Sequence, residues 1–172
     1  MSVKSKAKGN SFELRLSKLL SEWMFNEKDL LWRDSTSGGR KVIYNGDIVP
    51  AKVENFPWKY WPFIIEAKYG YKPFIPTFFN FEKIKHWLKK LLNERTETQH
   101  IPLLIVQFHN RRPLLITNIL LNSFCEICIT VLINDTYDIF YIYDLKTILS
   151  EEFDKILPNE LYESLILNKD NI

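Results

Sequence analysis

Between Asn10 and Phe25 the apolar residues Phe12, Leu16, Leu19, Leu20 and Trp23 recur at intervals of three and four, which gathers them on one face of an α-helix. At about 100° per residue, Glu13 falls at the margin of that stripe, close to Leu20 in rotation, whereas Glu22 lies on the outer face. "DLLWRD" then reads as a short strand and "STSGGRK" as a turn rich in hydroxyls and glycine. "KVIYNGDIVP" gives a second strand, with Asp47 near its end and Pro50 stopping it, and "AKVENFPWKYW" is a connection. "PFIIEAKYG" is a third strand, apolar on both faces at Ile64 and Ile65 as a central strand should be. From Phe79 to Glu94, Phe81, Ile84, Leu88, Leu91 and Leu92 line one face of a helix, with Lys83, Lys85, His86, Lys89 and Lys90 on the others. Four β-rich segments follow, parts of which read equally as loop, and a helical region runs from about Leu145 to Leu167. The order α-β-β-β-α-β with further strands predicts an α/β fold, a mixed central sheet flanked by helices.

A chain of 172 residues with 46% hydrophobic content can bury one substantial core, so a single domain over 1–172 is expected. No linker, low-complexity segment or internal repeat divides it. The net charge of +2 is modest, yet Lys4, Lys6 and Lys8 make a basic N-terminal arm of about residues 1–9, and Arg40 and Lys41 form another basic step. These are local leanings toward anionic partners, although a solvated face accounts for such runs as well. No apolar run of about 18 residues and no signal-peptide core is present, so no membrane partner and a cytoplasmic location are expected. Cys125 and Cys128 form a lone C-x-x-C with no second pair and no H-x-x-x-H among His86, His100 and His109. Reduced strand cysteines are expected there rather than a zinc or redox site.

The chemistry gathers at "FIIEAKYGY", residues 63–71. Period-two alternation sends Glu66 and Lys68 to one face and Phe63, Ile65 and Ala67 to the other, so two opposite charges emerge together from an apolar strand. A mutual ion pair is the plain explanation. With Asp47 ending the preceding strand, a second explanation arises: two carboxylates and the carbonyl of Ala67 as oxygen ligands for a hard cation such as Mg2+, with Lys68 beside them. Phosphodiester hydrolysis needs a deprotonated water and neutralised phosphate charge, and a metal serves both needs. Lys68 would orient the water and stabilise developing charge, and Glu13 is placed for a second ion or a metal-bound water.

This arrangement resembles the PD-(D/E)XK nuclease superfamily, and within it the archaeal-type Holliday junction resolvases and related phage-encoded endonucleases. The resemblance runs over residues 8 to 71, through "KGNSFELRL" with Glu13, "WRDSTSGGRK" with Arg33, "NGDIVP" with Asp47 and "FIIEAKYGY" with Glu66 and Lys68. More weakly, "KIKHWLKKL" and "IPLLIVQFHNRRPLLIT" look like the helix, strand and hairpin that follow in phage members. It implies a restriction-endonuclease-like fold, Mg2+ with Mn2+ able to substitute, a homodimer, and a Holliday junction or other branched DNA as substrate. Glu13, Asp47, Glu66 and Lys68 would be catalytic, with Asp47, Glu66, Ala67 and Glu13 at the metal. Lys8, Arg33, Ser35, Ser37, Arg40 and Lys41 would face the DNA; Arg33 is either a phosphate clamp or a strand-end charge, and the two serines are either loop contacts or ordinary turn residues. The chain departs from the pattern in carrying Gly46 where the superfamily name has proline. The helix glutamine of many relatives falls at Lys89 or nearby and is unassigned. Arg111 and Arg112 read as a solvated turn before a DNA contact, and Trp58, Trp61 and Trp87 as core or dimer aromatics. The same fold also hosts sequence-specific and mismatch-directed nicking nucleases and catalytically silent nucleic-acid-binding modules, so substrate does not follow from fold.

Overall fold

The computed structural model describes residues 3–34, 44–51, 56–58, 61–71, 81–96, 99, 101–133 and 135–166. Helix α1 (Val3–Phe25) starts seven residues before the apolar periodicity does, so the expected basic arm is helical from Val3. Lysine and alanine are good helix formers, and a polar run extends a helix already nucleated by its packed part without showing any apolar period of its own. Phe12, Leu16, Leu20 and Met24 are buried, whereas Leu19, counted in the stripe, is exposed.

Strands β1 (Leu31–Arg33), β2 (Ile48–Pro50), β3 (Phe63–Tyr69), β4 (Ile101–Gln107), β5 (Leu114–Thr117), β6 (Ile127–Ile133) and β7 (Thr136–Asp144) form one sheet in the order β1-β2-β3-β4-β5-β7-β6. Among the described strands only β3 and β4 run parallel, joined by helix α2 (Phe81–Glu94) as the crossover. The second strand is far shorter than predicted: residues 44–47 are not in strand, and 41–43 lie outside the described residues. The expected C-terminal helical region is three pieces, α3 (Leu145–Ser150), α4 (Phe153–Ile156) and α5 (Asn159–Ile166). Asp144 caps α3 by accepting the Thr147 N–H at 3.1 Å, and Pro158, which lacks an N–H, separates α4 from α5.

The sheet divides two cores. Ile48, Phe63, Ile65 and Ala67 pack with Phe12, Leu16 and Leu20 of α1 and with Ile148, Phe153 and Ile156 of the C-terminal helices. Ile64, Leu104 and Val106 pack with Ile84, Leu88 and Leu91 of α2. β3 is therefore buried on both sides, and alternation sends Glu66 and Lys68 to the α2 side at its C-terminal end. Trp58, Trp61 and Trp87 are all buried, and the Trp58 and Trp61 rings stack at 5.8 Å. No helix among the described residues is long and apolar enough to cross a membrane.

Candidate active site

Asp47 is carried to β3 by the backbone. Ile48 pairs with Ile65, and the Asp47 N–H donates to the Ile65 carbonyl at 2.7 Å. Gly46 makes that approach possible: its φ is +116°, and a Cβ there would lie 2.7 Å from the Ile65 oxygen. Proline, with φ held at about −65°, cannot take this conformation, which accounts for the G-D of this chain where the superfamily name has P-D.

The loop before Asp47 is tied down by Gln99, a residue that sequence reasoning missed. Its side chain is fully buried; Nε2 donates to the carbonyls of Asn45 and Phe63 at 2.8 Å each, and Oε1 accepts from the Asn45 N–H at 2.9 Å. The Asn45 side-chain amide also donates to the Glu94 carbonyl at the end of α2. Nothing in "ETQH" signals this, because a buried glutamine in a connection has no periodicity to reveal it.

Around this frame the structure brings together Asp47, Glu66, Ala67 and Lys68. Asp47 Oδ2 accepts from the Ala67 N–H at 2.9 Å and from Lys68 Nζ at 3.4 Å, and Lys68 Nζ also donates to Glu66 Oε1. The N–H and C=O of one residue in an extended strand point the same way. The Ala67 carbonyl thus faces the Asp47 side, beyond Ile65, the last β3 residue in the pairing with β2. Burial raises the pKa of Glu66, and the neighbouring Asp47 adds to the rise, against the opposing pull of Lys68 and Lys90. Burial alone would lower the pKa of Lys68, but the Asp47 and Glu66 carboxylates outweigh it and hold the ammonium above its ordinary value. Lys90 of α2 completes the group, with Nζ 3.8 Å from Glu66 Oε1 and 3.6 Å from Glu94 Oε2. It is Lys90, next to the position considered from sequence, that meets Glu66.

The donor set suits a hard divalent cation. The Asp47 and Glu66 carboxylates converge on one positive charge, oxygen donors of the kind such an ion takes. Among the described residues no three His, Cys, Asp or Glu side chains form a metal cluster, so an ion held here would take its remaining ligands from the backbone, water and phosphate.

Glu13 rides on α1, which packs on the Ile65 face of the sheet; Arg33 Nε donates to its Oε2 at 2.5 Å and Arg33 Nη2 to Asn10 Oδ1 at 2.9 Å. Arg33 stands across from Ile48, one residue from Asp47, so this pair borders the cluster. Lys8 is exposed on α1; side chains along that helix are described only from Ala7 onward, which leaves out those of Lys4 and Lys6. Ser35, Ser37, Arg40 and Lys41 lie outside the described residues. Arg112 pairs with Asp144 at 2.8 Å and with Glu126 at 3.2 Å, while Arg111 is exposed. Both cysteines are free, Cys128 in β6 and Cys125 before it.

The model of the family described as "Phage putative PDDEXK endonuclease" matches residues 4–162. No curated protein and no solved structure matches. The matched span holds the whole sheet and the Asp47, Glu66 and Lys68 cluster, and the chain belongs to this family of phage PD-(D/E)XK endonucleases.

Proposed function

We propose that the protein is a divalent-metal-dependent DNA endonuclease that hydrolyses phosphodiester bonds in branched DNA as a homodimer, most concretely a Holliday junction resolvase in the cytoplasm of a phage-infected host. The observation that carries the nuclease chemistry is the convergence of the Asp47 and Glu66 carboxylates on the Lys68 ammonium at the end of β3. Asp47, Glu66 and the Ala67 carbonyl would hold Mg2+, or Mn2+ in its place. A bound divalent ion supplies Lewis-acid neutralisation of phosphate charge and makes water a better nucleophile. Lys68, kept protonated by its two acidic neighbours, donates hydrogen bonds to the phosphoryl oxygens as their charge grows. Glu13 and Asn10 hold the Arg33 guanidinium in one orientation, which suits it to clamp a DNA phosphate beside the scissile one. Lys8, with Ser35, Ser37, Arg40 and Lys41, would extend the phosphate track.

Two symmetric nicks across a four-way junction call for two sites related by a two-fold axis, which a homodimer provides. The test pairs light scattering with Mg2+-dependent cleavage of matched four-way, Y-shaped and linear DNAs. A dimer that cuts the four-way junction in preference supports the reading. A monomer that cuts linear duplex equally well returns it to a general nuclease, and absence of any cleavage removes the enzyme.

A further inference from the structure

β6 and β7 end the sheet on the side away from β1. On one face of this hairpin Val131, Phe140 and Ile142 are buried in the core beneath α2. On the other, the register sets Tyr137, Ile139 and Tyr141 beside Leu132, Thr130 and Cys128. Tyr143, next along that face, is fully buried in the α1-side core, but exposure then rises to 50% at Ile139, 54% at Leu132 and 75% at Tyr137, leaving the far half of the hairpin uncovered on this side. The connection into β6 packs Leu121 and Cys125 against the same core and leaves Leu120 and Phe124 exposed. An antiparallel strand with one face in water ordinarily alternates apolar and polar residues. "ICITVLI" and "TYDIFYIY" are instead mainly apolar on both faces, the pattern of strands that are covered twice.

The charge pattern selects the occupant. No lysine or arginine lies between Arg112 and Lys146, so this is no surface for DNA phosphates. The six side chains of the open face carry no charge, so a second copy can meet it without like-charge repulsion. At ~150–250 Å² for a whole aromatic side chain and somewhat less for an aliphatic one, their exposed parts offer roughly 400–600 Å² per copy, and two copies together reach the ~1,000 Å² that a specific interface needs. We propose that the protein dimerises through this face, each β6–β7 hairpin packed on the same face of a second copy across a two-fold axis, as the two sheets of a sandwich pack. The inference rests on the homodimeric reading and deepens it by naming the surface. β6 lies four strands from β3, about 19 Å at ~4.8 Å per strand, so the contact leaves both clusters of Asp47 and Glu66 open to DNA.

The test is molecular mass by light scattering across a dilution series, for the wild type, for Ile139→Lys and Tyr137→Lys, and for Trp32→Lys at the other end of the sheet. The wild type should run at twice the 20.5 kDa of one chain. Ile139→Lys and Tyr137→Lys each put an ammonium into the contact and should raise the dimer dissociation constant at least about thirty-fold, the ~2 kcal/mol of an interface hot spot. Trp32 is exposed too, but on β1, and Trp32→Lys should stay dimeric. All three residues are exposed, so the variants should melt with the wild type, and this is checked first. A second measurement needs no substitution: Cys128 is free and exposed on the face, and its labelling by a thiol reagent, read by peptide mass spectrometry, should slow several-fold above the dissociation constant. A wild type that is monomeric throughout overturns this inference and the dimeric reading together. A dimer that both hairpin variants leave intact, that Trp32→Lys dissociates as readily, or in which Cys128 labels equally fast at both concentrations, overturns the inference alone. Dissociation by the hairpin variants in a protein that cuts no DNA would keep the face and remove the nuclease.

Discussion

Replacing Lys68 by methionine keeps the aliphatic stem and deletes the charge that holds Asp47 and Glu66 together. The Lys68, Glu66 and Asp47 side chains are 18%, 8% and 28% exposed, so solvent screens their interactions only in part. Breaking a buried ion pair from one side typically costs ~3–5 kcal/mol. Here the loss is smaller, because Lys90 stays 3.8 Å from Glu66 and the Ala67 N–H still serves Asp47, so about 2–3 kcal/mol is expected near neutral pH. At ~2–4 °C per kcal/mol for a chain of this size, the melting temperature should fall by roughly 4–12 °C.

The sign of the pH dependence follows from Glu66. Its folded-state pKa is already raised above 4.5, by burial and then by Asp47, and losing Lys68 raises it further. Between 4.5 and that raised value the native state binds more protons than the unfolded one, so stability increases as pH falls through the window. The variant should therefore recover part of its loss on mild acidification, when a protonated Glu66 no longer repels Asp47. Excess Mg2+ should stabilise the variant more than the wild type, since no ammonium has to leave the space between the carboxylates. An ion at a hundred times its dissociation constant adds ~2.7 kcal/mol. Thermal denaturation at neutral and mildly acidic pH, each with EDTA and with excess Mg2+, reads all three effects. A variant that melts within about 1 °C of the wild type under every condition would refute the electrostatic account of the cluster.

Asp47→Ala should abolish cleavage while DNA binding holds or tightens, since a carboxylate that repels phosphate is gone; cleavage and gel-shift assays on the same preparation check this. Gly46→Ala forces a Cβ to within 2.7 Å of the Ile65 oxygen at φ +116° and should destabilise the fold by about 2–4 kcal/mol in urea denaturation. Glu13→Gln should loosen Arg33 and weaken DNA binding several-fold in anisotropy titrations, while Glu22→Gln on the outer face leaves it unchanged. Lys90→Gln removes a cation that competes for Glu66, so calorimetric titration should show tighter Mg2+ binding, with Lys89→Gln matching the wild type.

The amino-acid pattern revealed what period alone determines. β3 was readable because its apolar residues alternate on both faces up to Glu66, and the shared direction of Glu66 and Lys68 followed from the same alternation. The helices α1 and α2 showed through the stripes of Phe12, Leu16 and Leu20 and of Ile84, Leu88 and Leu91. Placement of one element on another was hidden. Lys90, and not Lys89, meets Glu66 because of how the crossover helix rotates over the sheet, and helix periodicity leaves that rotation open by a residue. Glu13 was recognisable at the rim of its helix, but whether α1 lies on the Ile65 face or the Glu66 face is a matter of packing, and it lies on the Ile65 face. Gln99 was invisible because its role depends on loops that meet only in the fold.

These particulars trace the site to a place where strand pairing stops. β2 pairs with β3 at Ile48 and Ile65. One step further along β3, the Ala67 N–H takes the Asp47 carboxylate in place of a strand partner. Ending the ladder there turns the Ala67 N–H and C=O from sheet groups into site groups, and it is the Gly46 bend, held by Gln99 through Asn45, that ends it. The site's geometry thus depends on backbone register as much as on the charged side chains. An extra residue in β3 before Glu66 would send Glu66 and Lys68 to the α1 face and dismantle the cluster, although every residue of the motif would still be present.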